Sequence, residues 1–424
     1  MHSVAKWIGL LSATGAWQLA IAAVGFVSGI AVVRLLDTEQ YAIYTIANSL
    51  LGALVVLGDS GISSGVMSQG GGVWQDRSKL GAVVKTALHI CRWFAVIAAA
   101  AAFPAALFLL GRHGASYAVS LAVATILVPC FVMSVRNTIL QIPLKLHQDL
   151  RPLQAIQLGS NVVRLLLLGA ALPLAPFAVV ALCVATASTF FANVGIHRRG
   201  AKYIASDSRI EPNVRQEIMR IVWRTLPGST YYCIQGQLTV WLISVFGNTT
   251  SVAQFGALGR LTMVTSVVSA VATTLIVPRF ARLPNDRPLL LRRLGISALA
   301  LAVICAAGLF VVLLFPDALL WILGSSYGGL EHELMLMAIS SSFGLFGSLV
   351  VSLCFSRGLI PNPLIAIPFG LAVQSVLIFL NDMTTLSGVL LMSVGVAVAM
   401  TLFYVVYLVL NLGRERVAAS HPSV

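Results

Sequence analysis

The chain has 424 residues, of which 58% are hydrophobic and only 10% are charged, and its mean hydropathy is +0.93. Because a soluble domain carries about a quarter charged residues, this composition excludes a soluble globular protein. The 27 Lys and Arg outnumber the 14 Asp and Glu, but they concentrate in loops on one side of the membrane topology derived below. We therefore predict a polytopic, all-α integral membrane protein with no nucleic-acid partner.

Charged residues and Pro/Gly clusters divide the chain into about twelve apolar segments, each long enough to cross ~30 Å of hydrocarbon as a helix. The uncharged region from Leu165 to Ile196 is too long for one span, and Pro173-Leu174-Ala175-Pro176 divides it into a hairpin. The first apolar run lacks a convincing cleavage site, so we predict that it is a retained span. The predicted spans are 8–33, 41–67, 91–110, 115–135, 153–172, 176–196, 225–246, 252–277, 294–315, 334–356, 362–380 and 385–411.

The distribution of Lys and Arg predicts the orientation. An even number of spans places both termini on one side. The loops on that side hold every Lys and Arg except Arg34 and Arg112, in the opposite loops, and Arg92, Arg164 and Arg260, within or at the edge of spans. The positive-inside rule therefore places both termini in the cytoplasm.

The longest internal loop predicts the domain organisation. Residues 1–197 would form an N-terminal six-helix lobe, 198–224 a cytoplasmic basic linker, 225–413 a C-terminal six-helix lobe and 414–424 a cytoplasmic tail. Within the linker, Pro212 to Arg224 can form an amphipathic helix. It would either lie against anionic lipid or bind a partner, and we favour the lipid.

Polar residues in the fifth predicted span recur at spacings of three, four and three residues, which place them on one helix face. They are Gln154, Gln157, Asn161 and Arg164. Arg164 lies about twelve residues after Pro152, or ~18 Å of rise, near mid-membrane, where its guanidinium cannot easily reach either surface. Two interpretations remain open: a cationic wall of an aqueous lumen, or a helix–helix contact in which Arg164 bonds a neighbouring carbonyl.

The second predicted span carries a similar stripe. Its members are Tyr41, Thr45, Asn48, Gly52, Val55 and Asp59. Asp59 is the one acid embedded in a predicted span. It could pair with an arginine, cap a helix break beside Gly58 and Gly61, or bind a coupling ion.

Three further groups of residues are candidates for a site, and the first two have two interpretations each. Arg260 in the eighth predicted span either lines a lumen or reaches the surface, and the hydroxyl stripe of that span is expected to pack helix to helix. Lys85, His89 and Arg92 form either an interfacial collar or a recruitment site for a cytoplasmic head group. Gln235 shares a face of the seventh predicted span with Gly228, Tyr232 and Thr239, and could line a lumen.

Four sequence motifs resemble one known family. RLLDTEQYAIY at 34–44 and DSG at 59–61 are followed in the second half by FGALGR at 255–260 and VPR at 277–279. Together with the span count and the loop pattern, they resemble the polysaccharide (O-antigen and exopolysaccharide) flippases of the multidrug/oligosaccharidyl-lipid/polysaccharide (MOP) exporter superfamily.

The resemblance implies two six-helix lobes around a central cavity that opens alternately to the cytoplasm and periplasm, in a bacterial inner membrane. The implied substrate is an undecaprenyl-pyrophosphate-linked oligosaccharide. A guanidinium suits the pyrophosphate, and Gln and Asn amides suit sugar hydroxyls. The substrate-binding candidates are therefore Arg34, Asn48, Gln154, Gln157, Asn161, Arg164, Gln235 and Arg260, and Asp59 is the ion-coupling candidate.

Two other functions remain open, a MATE-like drug/cation antiporter and a flippase of lipid-linked peptidoglycan precursors. The antiporter needs buried acids, whereas the embedded charges here are mainly arginines. No HExxH, P-loop, GxSxG or paired-carboxylate motif occurs, so we predict no enzyme activity, no cofactor and no metal site. We expect a monomer that contacts membrane lipid and the lipid-linked glycan, with a periplasmic polymerase and a chain-length regulator as further partners.

Overall fold

The computed structural model describes residues 2–205, 208–281, 283–284, 286–357, 359 and 362–412, so the predicted tail at 414–424 lies outside the described residues. All regular elements in this part of the chain are helical. In chain order they are α1 (His2–Leu35), α2 (Thr38–Asp59), α3 (Ile62–Val73), α4 (Arg77–Arg112), α5 (Tyr117–Leu146), α6 (Leu150–Ala171), α7 (Ala178–Gly200), α8 (Pro212–Phe246), α9 (Thr249–Leu261), α10 (Met263–Ala281), α11 (Arg287–Leu314), α12 (Pro316–Leu323), α13 (Glu331–Ser356), α14 (Pro363–Leu380) and α15 (Leu386–Asn411), with short 3-10 helices at Ala201–Tyr203 and Ser325–Tyr327.

Eleven of the described helical segments are long and apolar enough to cross a membrane. The predicted fold class, an all-α membrane protein with about twelve spans, is confirmed. The hairpin at Pro173–Pro176 is also confirmed, because α6 ends at Ala171 and α7 begins at Ala178. The remaining predicted span, 225–246, is part of α8, whose Ser, Thr and Gln side chains lower its hydropathy.

Two predicted spans are broken, contrary to the sequence prediction. The span at 41–67 is interrupted after Asp59, where Ser60 (φ 38°) and Gly61 (φ 89°) adopt the left-handed conformation before α3 begins. The span at 252–277 divides at Thr262 into α9 and α10. The first break was one of the three interpretations of Asp59. The second was not visible in the apolar pattern, because hydropathy does not register a local change of backbone conformation.

The predicted amphipathic helix at 212–224 is not a separate element, because it continues into the seventh predicted span as the single helix α8. Its apolar side does not lie against lipid. Ile218 and Val222 are fully buried in a hydrophobic cluster that includes Val66 of α3 and Ile139 of α5. The prediction of an interfacial helix is therefore wrong for this side, which is stabilised by packing on protein.

The described chain forms two compact units, residues up to Ala257 (unit 1) and from Leu258 onward (unit 2). In unit 1, α2 packs against α4, α5, α7 and α8, and α6 packs against α1 and α7. In unit 2, α13 packs against α10, α11 and α15. The predicted lobes at 1–197 and 225–413 stay a prediction.

The hydroxyl stripe of the eighth predicted span makes the contact expected of it at one position in unit 2. Ser269 of α10 hydrogen bonds to Ser348 of α13, with 3.2 Å between the hydroxyl oxygens. Small side chains of this kind allow two helices to approach closely.

The connections between helices in unit 1 lie at two ends, which we call the basic end and the opposite end. The helix ends that meet at the basic end carry Arg77, Lys79, Lys145, Arg151, Arg198 and Arg199. The basic end comprises 74–76, 147–149 and 201–205, and the opposite end comprises 36–37, 113–116, 172–177 and 247–248.

An ion pair and an aromatic stack hold the connections of the basic end together. Asp149 accepts hydrogen bonds from Lys202 Nζ and from Tyr203 Oη, each at 2.9 Å. These donors, Lys202 above all, lower the pKa of Asp149, so their stabilising contribution is present above about pH 4 and is lost as the pH falls through the lowered pKa. His147 stacks on Tyr203 with ring centroids 4.0 Å apart, and Trp74 meets His147 edge-on at 5.2 Å.

The break between α2 and α3 generates a testable prediction. Thr225 Oγ1 of α8 donates to the Ser60 carbonyl at 2.9 Å, and a Cβ added at Gly61 would overlap that hydroxyl. Gly61→Ala should lower the free energy of unfolding by at least about 1–2 kcal/mol, the cost of a left-handed non-glycine residue. Thermal unfolding of the purified protein in detergent measures the effect.

Gly71→Ala is the matched control, because Gly71 is helical and no heavy atom lies within 4 Å of its added Cβ. Its midpoint should equal or exceed that of the wild type. Equal midpoints for both variants would contradict the role assigned to the break.

Candidate functional site

Arg164 of α6 is held by a tyrosine of α2. Its Nη2 donates a hydrogen bond to Tyr44 Oη at 2.8 Å. Tyr44 is 1% exposed and stacks on Tyr41, with ring centroids 6.1 Å apart. The guanidinium is thus oriented by a rigid, buried ring rather than by a flexible partner.

The charge of Arg164 has no acidic partner in the described part of the chain. The ion pairs within 4.0 Å found there do not include Arg164. Its Nε is buried and meets no hydrogen-bond partner among the same residues. A helix–helix contact, one of the two interpretations of Arg164, is therefore present, but its acceptor is a hydroxyl and not a carbonyl, so the charge stays uncompensated within the described residues.

The other members of the α6 stripe differ in exposure. Gln154 is 4% exposed, whereas Gln157 and Asn161 are half-buried. Asn161 Nδ2 donates to the Gln157 carbonyl at 3.0 Å within the helix, so its side-chain oxygen remains the acceptor. The face predicted from spacing therefore exists, with Gln157, Asn161 and Arg164 at its accessible part.

On α2, Asn48 and Asp59 are satisfied locally. Asn48 Nδ2 donates to the Tyr44 carbonyl at 2.8 Å. Asp59 accepts from the Ser63 backbone N–H at 3.0 Å and from the Ser63 hydroxyl at 2.7 Å. Of the three interpretations of Asp59, the structure shows the helix-break cap, and the ion pairs of the described residues do not include Asp59.

On α8, Gln237 faces α2, whereas Gln235, the candidate for a lumen, lies on another side of the helix. A Cβ at Gly52 of α2 would lie 3.2 Å from Gln237 Nε2, and Cys233 Sγ donates to the Ala53 carbonyl at 3.4 Å. Gln235 is two residues from both Cys233 and Gln237, about 200° around the helix, so it points away from this contact.

Two predicted arginines lie away from the Arg164–Tyr44 pair. Arg34 is exposed at the last turn of α1, at the opposite end of unit 1. Arg260 is half-buried near the end of α9 and belongs to unit 2. The structure therefore does not assemble all eight candidates in one place within a unit.

The predicted recruitment site on α4 has one member bound by the chain itself. Lys85 Nζ donates to the Ser208 carbonyl at 3.0 Å, in the segment that leads to α8. Arg92 is exposed and His89 is half-buried. Lys85 thus ties the α7–α8 connection to α4, which is a structural role.

Sequence reasoning missed Tyr44, Gln237 and Ser63. Tyr44 could have been found, because it lies three residues after Tyr41 and four before Asn48 and shares their helix face. An aromatic residue in an apolar span carries no polarity signal, so it was passed over. In the described residues, no three His, Cys, Asp or Glu side chains come together as a metal site would require.

No protein-family model matches the chain, and no curated protein sequence is significantly similar to it. Solved structures do match. The inward-facing conformation of a multidrug resistance MATE family transporter of the MOP superfamily has a TM-score of 0.72 at 16% identity, covering 92% of this chain and 93% of that chain. This chain has the fold of the MOP transporters.

Two further structures agree. The outward-facing conformation of a MATE family transporter of the MOP superfamily has a TM-score of 0.61 at 17% identity, covering 96% of this chain and 94% of that chain. A MOP superfamily transporter from Pyrococcus furiosus, described as having a binding pocket of reverse polarity, has a TM-score of 0.59 at 16% identity, with coverages of 96% and 94%. Identities this low establish the fold and not the substrate.

The uncompensated charge of Arg164 and its hydrogen bond to Tyr44 have opposite effects on the free energy of unfolding. Arg164→Met keeps the length of the side chain and removes an uncompensated charge from the protein interior, so the free energy of unfolding should stay equal or rise. Tyr44→Phe should lower it by about 1–3 kcal/mol, because a hydrogen bond to a charged group is lost. Equilibrium unfolding in mixed micelles measures both.

Combining Arg164→Met with Tyr44→Phe measures the interaction between these two side chains alone. If the Tyr44 hydroxyl acts through Arg164, Tyr44→Phe should cost much less in the Arg164→Met background. An unchanged cost in that background would assign the Tyr44 hydroxyl to another contact.

Proposed function

We propose that the protein is an alternating-access flippase that moves an undecaprenyl-pyrophosphate-linked oligosaccharide from the cytoplasmic to the periplasmic leaflet. The observation that carries the proposal is the Arg164 guanidinium, held by a neutral hydroxyl with its charge uncompensated within the described residues. A membrane-embedded charge without a protein partner is costly and is typical of a substrate pathway.

The chemistry of the α6 face matches an anionic, glycosylated head group. Tyr44 engages one Nη2 donor of Arg164, so donors in the planar fork remain for phosphate oxygens, which guanidinium binds in a bidentate manner. Gln157 and Asn161 present amide groups along the same face for sugar hydroxyls. The polyprenyl tail needs no pocket, because it can stay in the bilayer.

The orientation belongs to the same proposal. The loops of the basic end, and the loops of the second half that hold its arginines, face the cytoplasm of a bacterial inner membrane. Both termini lie on the same cytoplasmic side. A head group would then be collected on the side where lipid-linked glycans are assembled. The fold supports a transporter that alternates between inward-facing and outward-facing conformations, as its structural neighbours do.

A second candidate, a MATE-like cation antiporter, is favoured by the fold of those neighbours. Such a pump needs embedded acids to bind cations and protons. In unit 1 the acid within a predicted span is Asp59, and both of its carboxylate oxygens accept hydrogen bonds from Ser63. The embedded charge without an acidic partner among the described residues is that of Arg164, which is positive. The Pyrococcus furiosus neighbour, described as having a pocket of reverse polarity, is a precedent within this fold for another kind of substrate.

The test measures flipping of three substrates in proteoliposomes: an undecaprenyl-pyrophosphate-linked oligosaccharide, a lipid-linked peptidoglycan precursor and a cationic dye. We expect oligosaccharide flipping to fall at least tenfold in Arg164→Met and to recover in part in Arg164→Lys, which keeps the charge and loses the fork. Arg136→Met, at an exposed arginine of α5 outside the candidate residues, is the matched control and should transport normally.

Each alternative has its own result in this assay. Dye transport without oligosaccharide flipping would replace the proposal with the antiporter. Flipping of the peptidoglycan precursor alone would reassign the substrate. Normal oligosaccharide flipping by Arg164→Met would remove the main support for an anion site on α6.

Asp59 remains the ion-coupling candidate, and its geometry makes a clean test possible. Asp59→Asn removes the charge and keeps the oxygen that accepts from the Ser63 backbone N–H, while its amide N–H can donate to the Ser63 hydroxyl in place of the second bond. We predict that it reduces flipping driven by an imposed proton or sodium gradient more than Asp37→Asn, at the exposed α1–α2 connection, does. Gradient-driven flipping that is unchanged in Asp59→Asn would leave Asp59 as a cap.

A further inference from the structure

His113 is a buried histidine that joins parts of the chain about 130 residues apart. It follows α4 and is 8% exposed. Its Nε2 lies 2.8 Å from the Ser244 carbonyl and 2.9 Å from the Ser244 hydroxyl, at the end of α8. Its Nδ1 lies 3.1 Å from Thr249 Oγ1, at the start of α9. One imidazole therefore bridges the α8–α9 junction to the α4–α5 connection.

The preceding residue reinforces the same contact. Arg112 Nη2 donates to the Val245 carbonyl at 2.8 Å, one residue after Ser244. The last carbonyls of a helix lack partners within it, so Arg112 and His113 satisfy orphan groups at the end of α8. Both belong to unit 1, as do the residues that they hold.

We propose that His113 is a proton-sensitive latch, which holds the α8–α9 junction to the α4–α5 connection when the imidazole is neutral and releases it when the imidazole is protonated. The latch lies at the opposite end of unit 1 and uses none of the substrate candidates. Its existence does not depend on which molecule the protein transports.

The hydrogen-bond partners of His113 are matched by one neutral tautomer of its imidazole. In the neutral ring, Nε2–H donates to Ser244, and Nδ1 accepts from the Thr249 hydroxyl. Protonation turns Nδ1 into a donor, so Thr249 must turn its own proton away. It also places a second positive charge beside Arg112 in a buried position.

Among the described residues, the charge that acts on His113 is that of Arg112, which has the same sign as the added proton. Arg112 faces it from α4, and α8 and α9 present hydroxyls and a carbonyl of Ser244 and Thr249. Tyr117 at the start of α5 is exposed. Burial above all, and Arg112, lower the pKa of His113, against the opposing effect of the Ser244 carbonyl.

The sign of the pH dependence follows from the lowered pKa. The latched form binds the proton less tightly than the released form, so the latch is fully stable above about pH 6.5, the ordinary pKa of histidine. It weakens up to tenfold per pH unit as the pH falls from there toward the lowered pKa. On the predicted orientation, this end would respond to the pH of the periplasm.

Hydrogen–deuterium exchange of the full-length protein in lipid nanodiscs tests the latch. After correction for the intrinsic pH dependence of exchange, peptides spanning 243–252 should exchange up to tenfold faster per pH unit below about pH 6.5. His113→Gln can donate to Ser244 and accept from Thr249 without titrating, so its exchange should not change with pH. His147→Gln, at the basic end, should keep the wild-type response.

A second variant keeps the test decisive if His113→Gln folds poorly. Arg112→Gln removes the like charge that disfavours protonation of the latched form, so the amplitude of the pH response should shrink. A pH response that is absent in the wild type, or the same in His113→Gln and Arg112→Gln as in the wild type, would overturn the proposal.

Discussion

The unit-1 fold is arranged around a cation that it orients without neutralising. An acid in place of Tyr44 would give Arg164 a buried ion pair, whose Coulombic gain would offset part of the desolvation cost. The tyrosine instead fixes the position of the guanidinium through one hydrogen bond and leaves its charge available. Tyr44 is immobilised by burial and by its stacking on Tyr41. Because this tyrosine already fixes the orientation of Arg164, the entropy cost of ordering the guanidinium when a ligand binds is lowered.

Helix α2 positions Tyr44 because four helices, α4, α5, α7 and α8, pack against it. Gly52 admits Gln237 of α8, and Gly58 leaves room for the Phe131 ring of α5. At its end, the left-handed Ser60–Gly61 turn frees backbone groups that would be costly in a bilayer. Asp59 caps the start of α3, and the Thr225 hydroxyl covers the Ser60 carbonyl, so the break is satisfied from both sides.

The sequence predicted those features that a period or a length can encode. Spans of about twenty apolar residues are a physical requirement of the bilayer. The 3–4–3 spacing predicted that Arg164 shares a face of α6 with Gln157 and Asn161, and all three are half-buried. The features that could not be predicted from the sequence are those that depend on packing between helices. Gln235 and Gln237 are equally polar, and only the packing of α8 shows that Gln237 is the one that contacts α2. The charges of residues 212–224 suggested a surface helix, whereas Ile218 and Val222 bury its apolar side in the core.

Arg164 and His113 pose opposite electrostatic problems, and this difference bears on how transport could be driven. An anionic head group at Arg164 would compensate an unpaired charge and stabilise the form that binds it. A proton at His113 would add an unpaired charge beside Arg112 and destabilise the form that buries it. A ligand and a proton can therefore bias unit 1 toward different forms although they act on different helices, since each shifts only the form with which it interacts differently. In the proposed flippase, coupling to acid would therefore not require an acidic residue at the site that binds the substrate.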